Sequence, residues 1–147
     1  MTKLTKSIGI EASPEKIWAF IFDLKKMNEL TRGSSEGEYT SKGPIGVGTT
    51  IHYGGKAGGS EAEFNTEITE LEKNKKASMQ TVGGSKFKMQ GSYTPEPTSK
   101  GTRLTTTYDY ELPYSILGKI VDKLKVSKDM EKMSEKQLGS MKKALET

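Results

Sequence analysis

The sequence contains no cysteine. Disulfides, thiolate metal sites and a cysteine nucleophile are therefore excluded, and a reducing compartment is allowed without being required. There is a single histidine, His52, so mechanisms that need a histidine pair, a histidine metal triad or a zinc cluster lack their ligands. No run approaches the roughly 20 apolar residues of a membrane-spanning helix. Met1 to Ile10, with Lys3 and Lys6, lacks the apolar stretch of a signal peptide. The expectation is a cytoplasmic protein with no metal and no other cofactor, free to make transient membrane contact but not to span. Arginine is scarce too: Arg32 and Arg103 are the only ones, so the formal charge of +4 rests almost wholly on lysine. Bidentate reading of bases and phosphates favours arginine, and the lysines are interspersed with acids, which argues against a nucleic-acid partner. Oligomeric state leaves no trace in the sequence.

At 147 residues the chain suits one domain, 1–147, with one core. Leu4 to Glu11 alternates as a strand, with Leu4, Lys6, Ile8 and Ile10 on one face. Ser13 then offers an N-cap and Pro14 a first helical residue. Ile17, Trp18, Phe20, Ile21, Phe22 and Leu24 predict a helix packed on more than one side, with Trp18 as a packing anchor. A break near Asp23 leads to a second short helix ending about Leu30. Thr31 to Gly48 reads as loop with a short strand around Glu38 to Thr40. Strands follow at Thr49 to Tyr53, Glu61 to Leu71, Ala77 to Val82, Lys86 to Thr94 and Thr102 to Leu112, divided by Gly54 to Ser60, Glu72 to Lys76, Gly83 to Ser85 and Pro95 to Gly101. Connections this short favour antiparallel hairpins. Beyond Pro113 the period is helical: Ile116 to Leu124 first, then Ser127 to Glu146 with Met130, Met133, Gln137, Met141 and Ala144 or Leu145 along one stripe.

The segments Ile8-Gly-Ile-Glu-Ala-Ser-Pro-Glu-Lys-Ile-Trp18, Gly43-Pro-Ile-Gly-Val-Gly-Thr49, Glu67-Ile-Thr-Glu-Leu71 and Gly101-Thr-Arg-Leu104 resemble the START/SRPBCC superfamily. The nearest branch by this likeness is the polyketide cyclase/dehydrase one, which also takes in a small protein associated with carbon monoxide dehydrogenase. The resemblance implies an α+β helix-grip fold of the pollen-allergen kind: a curved antiparallel sheet of about six to seven strands around a long C-terminal helix, two short helices after strand one, and an interior cavity. It implies a ligand that is a lipid, polyketide, hormone or quinone, and it does not imply catalysis, since only some members are enzymes.

Alternation assigns the inner face without the family. In Thr102 to Leu112 the even positions Leu104, Thr106, Tyr108, Tyr110 and Leu112 point inward. Phe87, Met89, Gly91 and Tyr93 do so in the preceding strand, as do Ala62, Phe64, Thr66 and Ile68 in the long strand and Ala77, Met79 and Thr81 between them. The expected cavity lining is Phe64, Ile68, Met79, Phe87, Met89, Tyr93, Thr106, Tyr108 and Tyr110 from the sheet, with Met130, Met133, Gln137 and Met141 from the helix. Such a wall suits a hydrophobic small molecule oriented by a few hydroxyls, with methionine adapting to shape.

No convergent acid/base set emerges, so no catalytic residue is assigned. His52 alternates with Ile51 and should face outward. Glu61, Glu63 and Glu67, and likewise Asp109 and Glu111, fall on outer faces, where charge is normally solvated. Gly46-Val-Gly48 and Gly54-Gly-Lys-Ala-Gly-Gly59 match neither phosphate-loop pattern and open no helix, although Gly54 to Ser60 could act as a lid. Gly139 interrupts the last helix at about 1 kcal/mol relative to alanine, as a bend, a close approach or a tolerated residue. Three functions fit: carriage of a hydrophobic small molecule, a cyclase/dehydratase-like enzyme using Tyr93, Tyr108 or Tyr110 for protons, and a co-chaperone-like protein-partner module, which would need an exposed apolar patch.

Overall fold

The computed structural model describes residues 2–31, 36–57, 60–83, 88–111 and 123–147, and within these the side chains of 55–57, 60–62 and 123–126 are left aside. The expected lining residue Phe87, the inward Leu112 and the helical run from Ile116 to Ile120 lie outside the described residues, as does Arg32.

The elements follow the chain as β1 (Thr2–Ile10), α1 (Pro14–Phe22), α2 (Leu24–Leu30), β2 (Glu36–Tyr39), β3 (Thr50–Ala57), β4 (Ser60–Glu72), β5 (Lys76–Val82), β6 (Lys88–Thr98), β7 (Gly101–Glu111) and α3 (Lys123–Leu145). The seven strands form one antiparallel sheet in the order β1-β7-β6-β5-β4-β3-β2. From β2 to β7 every strand lies beside its neighbour in sequence, as short hairpin connections demand. β1 closes the far edge by pairing along its whole length with β7, from Thr2 opposite Tyr110 to Ile10 opposite Thr102.

The two short helices start and stop for local reasons. Ser13 caps α1 by accepting a hydrogen bond on Oγ from the Lys16 N–H at 3.2 Å, with Pro14 in the first turn. Asp23 ends α1, its N–H donating to the Phe20 carbonyl at 3.1 Å, and begins α2, its Oδ1 accepting from the Lys26 N–H at 3.2 Å. One residue therefore turns the chain between helices. Ile17, Trp18 and Ile21 of α1 and Met27 of α2 are buried, and Trp18 packs on Phe22 with ring centroids 5.1 Å apart. The core gathers Ile17, Ile21 and Met27 with Ile10, Leu104, Leu138 and Met141.

Two dividers proved shorter than the sequence suggests. β6 continues through Pro95 and Pro97 to Thr98, opposite Leu104, Thr102 and Gly101 of β7. Prolines are tolerated there because β5 pairs with β6 only as far as Tyr93, leaving the other side of the strand free of a ladder. Likewise most of the Gly54 to Ser60 divider is strand: β3 and β4 stay in register as far as Ala57 opposite Ser60. α3 runs unbroken through Gly139, where an added Cβ would meet nothing within 4 Å. That glycine is tolerated in open space rather than required by a close approach.

Candidate functional site

α3 lies along the β1 and β7 side of the sheet. It packs on β1 and touches α2, and Lys6 of β1 bridges Glu131 and Glu135 at 3.1 and 3.0 Å. Thr106 of β7 meets the Ser134 hydroxyl at 3.4 Å. Along the inner faces of β3 to β6 the side chains divide: Ile51, Thr66, Ile68, Ala77 and Tyr93 are buried, and Tyr53, Phe64, Met79 and Met89 are partly exposed.

This placement divides the residues that alternation points inward. Ile68 and Met141 have no accessible surface, and Thr106 and Tyr110 have 1 % and 3 %. A side chain with no accessible surface faces no void that a ligand could fill, so Ile68 and Met141 are packed core rather than lining, and Thr106 and Tyr110 are almost fully buried beside them. Phe64, Met79, Met89, Tyr108, Met130 and Gln137 are half-buried and make up the candidate wall, with Tyr93 at 8 % on its boundary. Met133 is a further correction. At 53 % exposed it lies off the buried stripe of α3, which runs through Ser134, Leu138 and Met141 instead.

The wall includes a residue that the sequence reading missed. Tyr53 of β3 sits opposite Phe64 of β4, and their rings stack at 5.3 Å and 21°. The signal was present, because Tyr53 shares its face with Ile51, which is 2 % exposed. Two glycines make room for the rings. A Cβ on Gly37, opposite Tyr53, would lie 2.7 Å from that ring. One on Gly91, opposite Tyr108, would lie 3.1 Å from two of its ring atoms. Each tyrosine is thus laid across a glycine of the neighbouring strand.

The polar groups converge at one place. The Tyr108 hydroxyl donates to Gln137 Oε1 at 3.3 Å, and Tyr93 lies beside both side chains. Burial pushes the Tyr93 phenol up from its ordinary value, against the smaller opposing effect of its polar neighbours Tyr108 and Gln137. Tyr108 is pushed well above its ordinary value, first by burial and then by the proximity of Tyr93. Tyr53 is raised mainly by burial as well. At neutral pH these phenols stay protonated. They offer hydrogen bonds and have little capacity to act as bases.

The residues weighed for acid/base chemistry lie elsewhere. His52 is on the outer face, its Nδ1 2.9 Å from Asn65 Oδ1 and its Nε2 4.0 Å from Glu63. Glu63 and Glu111 are exposed and Glu67 and Asp109 half-buried, all out of phase with the inward residues of their strands. Among the described residues no group of histidine and carboxylate side chains could hold a metal, and no helix is long and apolar enough to cross a membrane. A separate open groove of about 480 Å³ runs between α1, α2 and the end of α3, with Phe20, Leu30 and Leu145 as its apolar part and Lys16, Asp23, Lys26 and Glu29 around them. It contains none of the tyrosines.

Solved structures share this architecture. A protein of Thermus thermophilus superposes with a TM-score of 0.83 at 23 % identity, covering 98 % of this chain and 97 % of that one. The Zhui aromatase/cyclase of a Streptomyces species gives 0.80 at 13 %, covering 99 % and 93 %. A START superfamily protein of Mycobacterium smegmatis gives 0.80 at 16 %, covering 98 % and 97 %. At these identities the likeness speaks for the helix-grip fold alone. A search of curated proteins finds no match. The family described as polyketide cyclase / dehydrase and lipid transport matches residues 1–146, and the chain belongs to that family.

Proposed function

We propose that this chain binds an apolar small molecule of the lipid, polyketide or quinone kind between the inner face of β3 to β6 and α3, and holds it without reacting with it. The observation that carries this reading is the Tyr93, Tyr108 and Gln137 cluster, set into an otherwise apolar wall of Phe64, Met79, Met89 and Met130. A wall of this kind gains affinity from apolar burial and orientation from a few fixed donors. Hydroxyls kept neutral by burial suit a carbonyl or ether oxygen, and among the described residues no base stands beside them to take a proton. Of the wider lining first expected, Phe64, Met79, Met89, Tyr93, Tyr108, Met130 and Gln137 carry this reading, with Tyr53 added.

Cyclisation or dehydration of a reactive chain is the second reading. It is favoured by the family and by the presence of an aromatase/cyclase among proteins of the same fold. A pocket that only folds its substrate and donates hydrogen bonds needs no acid/base pair.

Native mass spectrometry of the protein purified from its own host tests the first reading. A retained apolar molecule at one per chain is expected, and replacing Tyr108 with Phe should weaken its binding by about 2- to 10-fold, the worth of one hydrogen bond. A bare protein that also ignores a panel of fatty acids, quinones and aromatic polyketides would remove it. Turnover of a poly-β-ketone that disappears in Tyr108→Phe would establish the second reading in its place.

A further inference from the structure

The hairpins β2–β3, β4–β5 and β6–β7 all turn at the same end of the sheet, because these strands are antiparallel and consecutive. Their connecting segments, 40–49, 73–75 and 99–100, contain Lys42, Lys73, Lys75 and Lys100 and no acid. Those lysines equal the entire surplus of +4, so the rest of the chain is balanced. Lys42, Lys73 and Lys100 form no ion pair with a described residue, whereas Lys75 lies 3.4 Å from Glu72 at the end of β4. Acids also stand at this end: Glu72 beside Lys75, Glu38 and Glu96 in β2 and β6 within three residues of their turns, and Glu11 and Glu146 beyond Lys100 on the β1 side, where Glu146 is engaged by Lys142 and by the Glu11 N–H.

The first of these segments also exposes aliphatic side chains. Ile45 is 41 % and Val47 68 % accessible, and among the described residues only Met133 is a comparably exposed large apolar side chain. They stand on a built base. The Gly46 N–H donates to Thr49 Oγ1 at 2.8 Å, the Gly48 N–H to the Ile68 carbonyl at 2.8 Å, and the Ile68 N–H to the Thr49 carbonyl at 2.9 Å. Gly43 and Gly48 take φ of 96° and 93°, which only glycine adopts freely. The tip is therefore fixed to β4, with Ile45 and Val47 held outward.

We propose that this end of the sheet docks on an anionic lipid bilayer, with Ile45 and Val47 entering the headgroup region and the flanking lysines meeting lipid phosphates. Lysine is a point charge suited to a diffuse anionic surface, while base reading and phosphate forks favour arginine and base stacking needs aromatics. The three connecting segments hold neither. An aliphatic pair would also find nothing to bury against on a nucleic acid.

Flotation of the full chain with vesicles of phosphatidylcholine, alone or mixed with phosphatidylglycerol, tests the proposal. Binding is expected only with phosphatidylglycerol and should fall as salt rises. The pair Lys73→Gln and Lys75→Gln should weaken it on the order of tenfold. Ile45→Ser with Val47→Ser should weaken it several-fold, since buried apolar area adds to the charge attraction. Lys88→Gln with Lys136→Gln removes the same charge from positions away from this end and should leave binding unchanged. The proposal is overturned by absence of binding to phosphatidylglycerol vesicles, by an equal loss in that control pair, or by indifference to the Ile45 and Val47 changes. An RNA oligonucleotide that competes the chain off the vesicles through the same lysines would also overturn it. All these positions lie outside the tyrosine wall, so ligand retention should stay at the parent level and a failure here leaves the cavity reading untouched.

Discussion

A methyl group on Gly91 would press on the Tyr108 ring at 3.1 Å, and one on Gly101 would overlap the Ile10 carbonyl oxygen and approach the Ala12 N–H at 2.9 Å. The obstacles differ in kind. A ring can tilt by a few tenths of an ångström, whereas the β1 backbone is fixed by its ladder to β7, and Gly101 also has a φ of 144°. Gly91→Ala is therefore expected to cost under about 1 kcal/mol of stability but to lengthen the 3.3 Å bond from Tyr108 to Gln137 and weaken ligand binding. Gly101→Ala is expected to cost about 3 kcal/mol or more. Urea unfolding of both variants checks the order, and equal losses would refute the distinction. Neither demand was visible in the sequence beyond a turn near Gly101 and an inward position at Gly91. What each glycine touches comes from a strand distant in sequence.

α3 shows where periodicity succeeds and where it slips. The helical period was legible, but its phase was set by the methionines. At about 100° per residue, Met133 stands roughly 140° around the helix from Leu138, which is 2 % exposed. Ser134 also misled, because its buried hydroxyl meets Thr106, and a serine does not register in a hydrophobic pattern. Leu138→Ala should accordingly destabilise the fold by about 2–5 kcal/mol, while Met133→Ala should change it by less than about 0.5 kcal/mol. Thermal or denaturant unfolding distinguishes them, and a large loss at Met133 would return that side chain to the core. The strands were read more faithfully: the alternation of β4 to β7 puts every described inward residue on the expected face. Their ends were misjudged where prolines continue a ladder on one side only, as in β6.

At the scale of the molecule, antiparallel order follows from hairpin lengths, and most of the sheet was legible for that reason. Which of the described inward side chains stay partly exposed was not, since it depends on where α3 comes to rest. That division has a consequence at alkaline pH. Burial, and then the nearby Asp23 carboxylate, pushes the Tyr39 phenol up to about 12 from 10.0, and its hydroxyl donates to the Phe22 carbonyl at 2.8 Å. Tyr53, Tyr93 and Tyr108 are raised as well, each chiefly by burial. For all four the folded state retains a proton that the unfolded chain releases. The stability they contribute is therefore fully present below pH 10.0; Tyr39 loses its share as the pH climbs through about 12, and the other three lose theirs as the pH passes their own raised values. Tyrosinate absorbance should accordingly lag the ordinary phenol titration and then rise together with the loss of far-ultraviolet circular dichroism. Tyr39→Phe should remove part of the alkaline sensitivity by abolishing one of the linked ionisations. Complete ionisation near pH 10.0 with the circular dichroism unchanged would mean that the phenols are open to water, and the tyrosine cluster would lose its standing as a set of buried neutral donors.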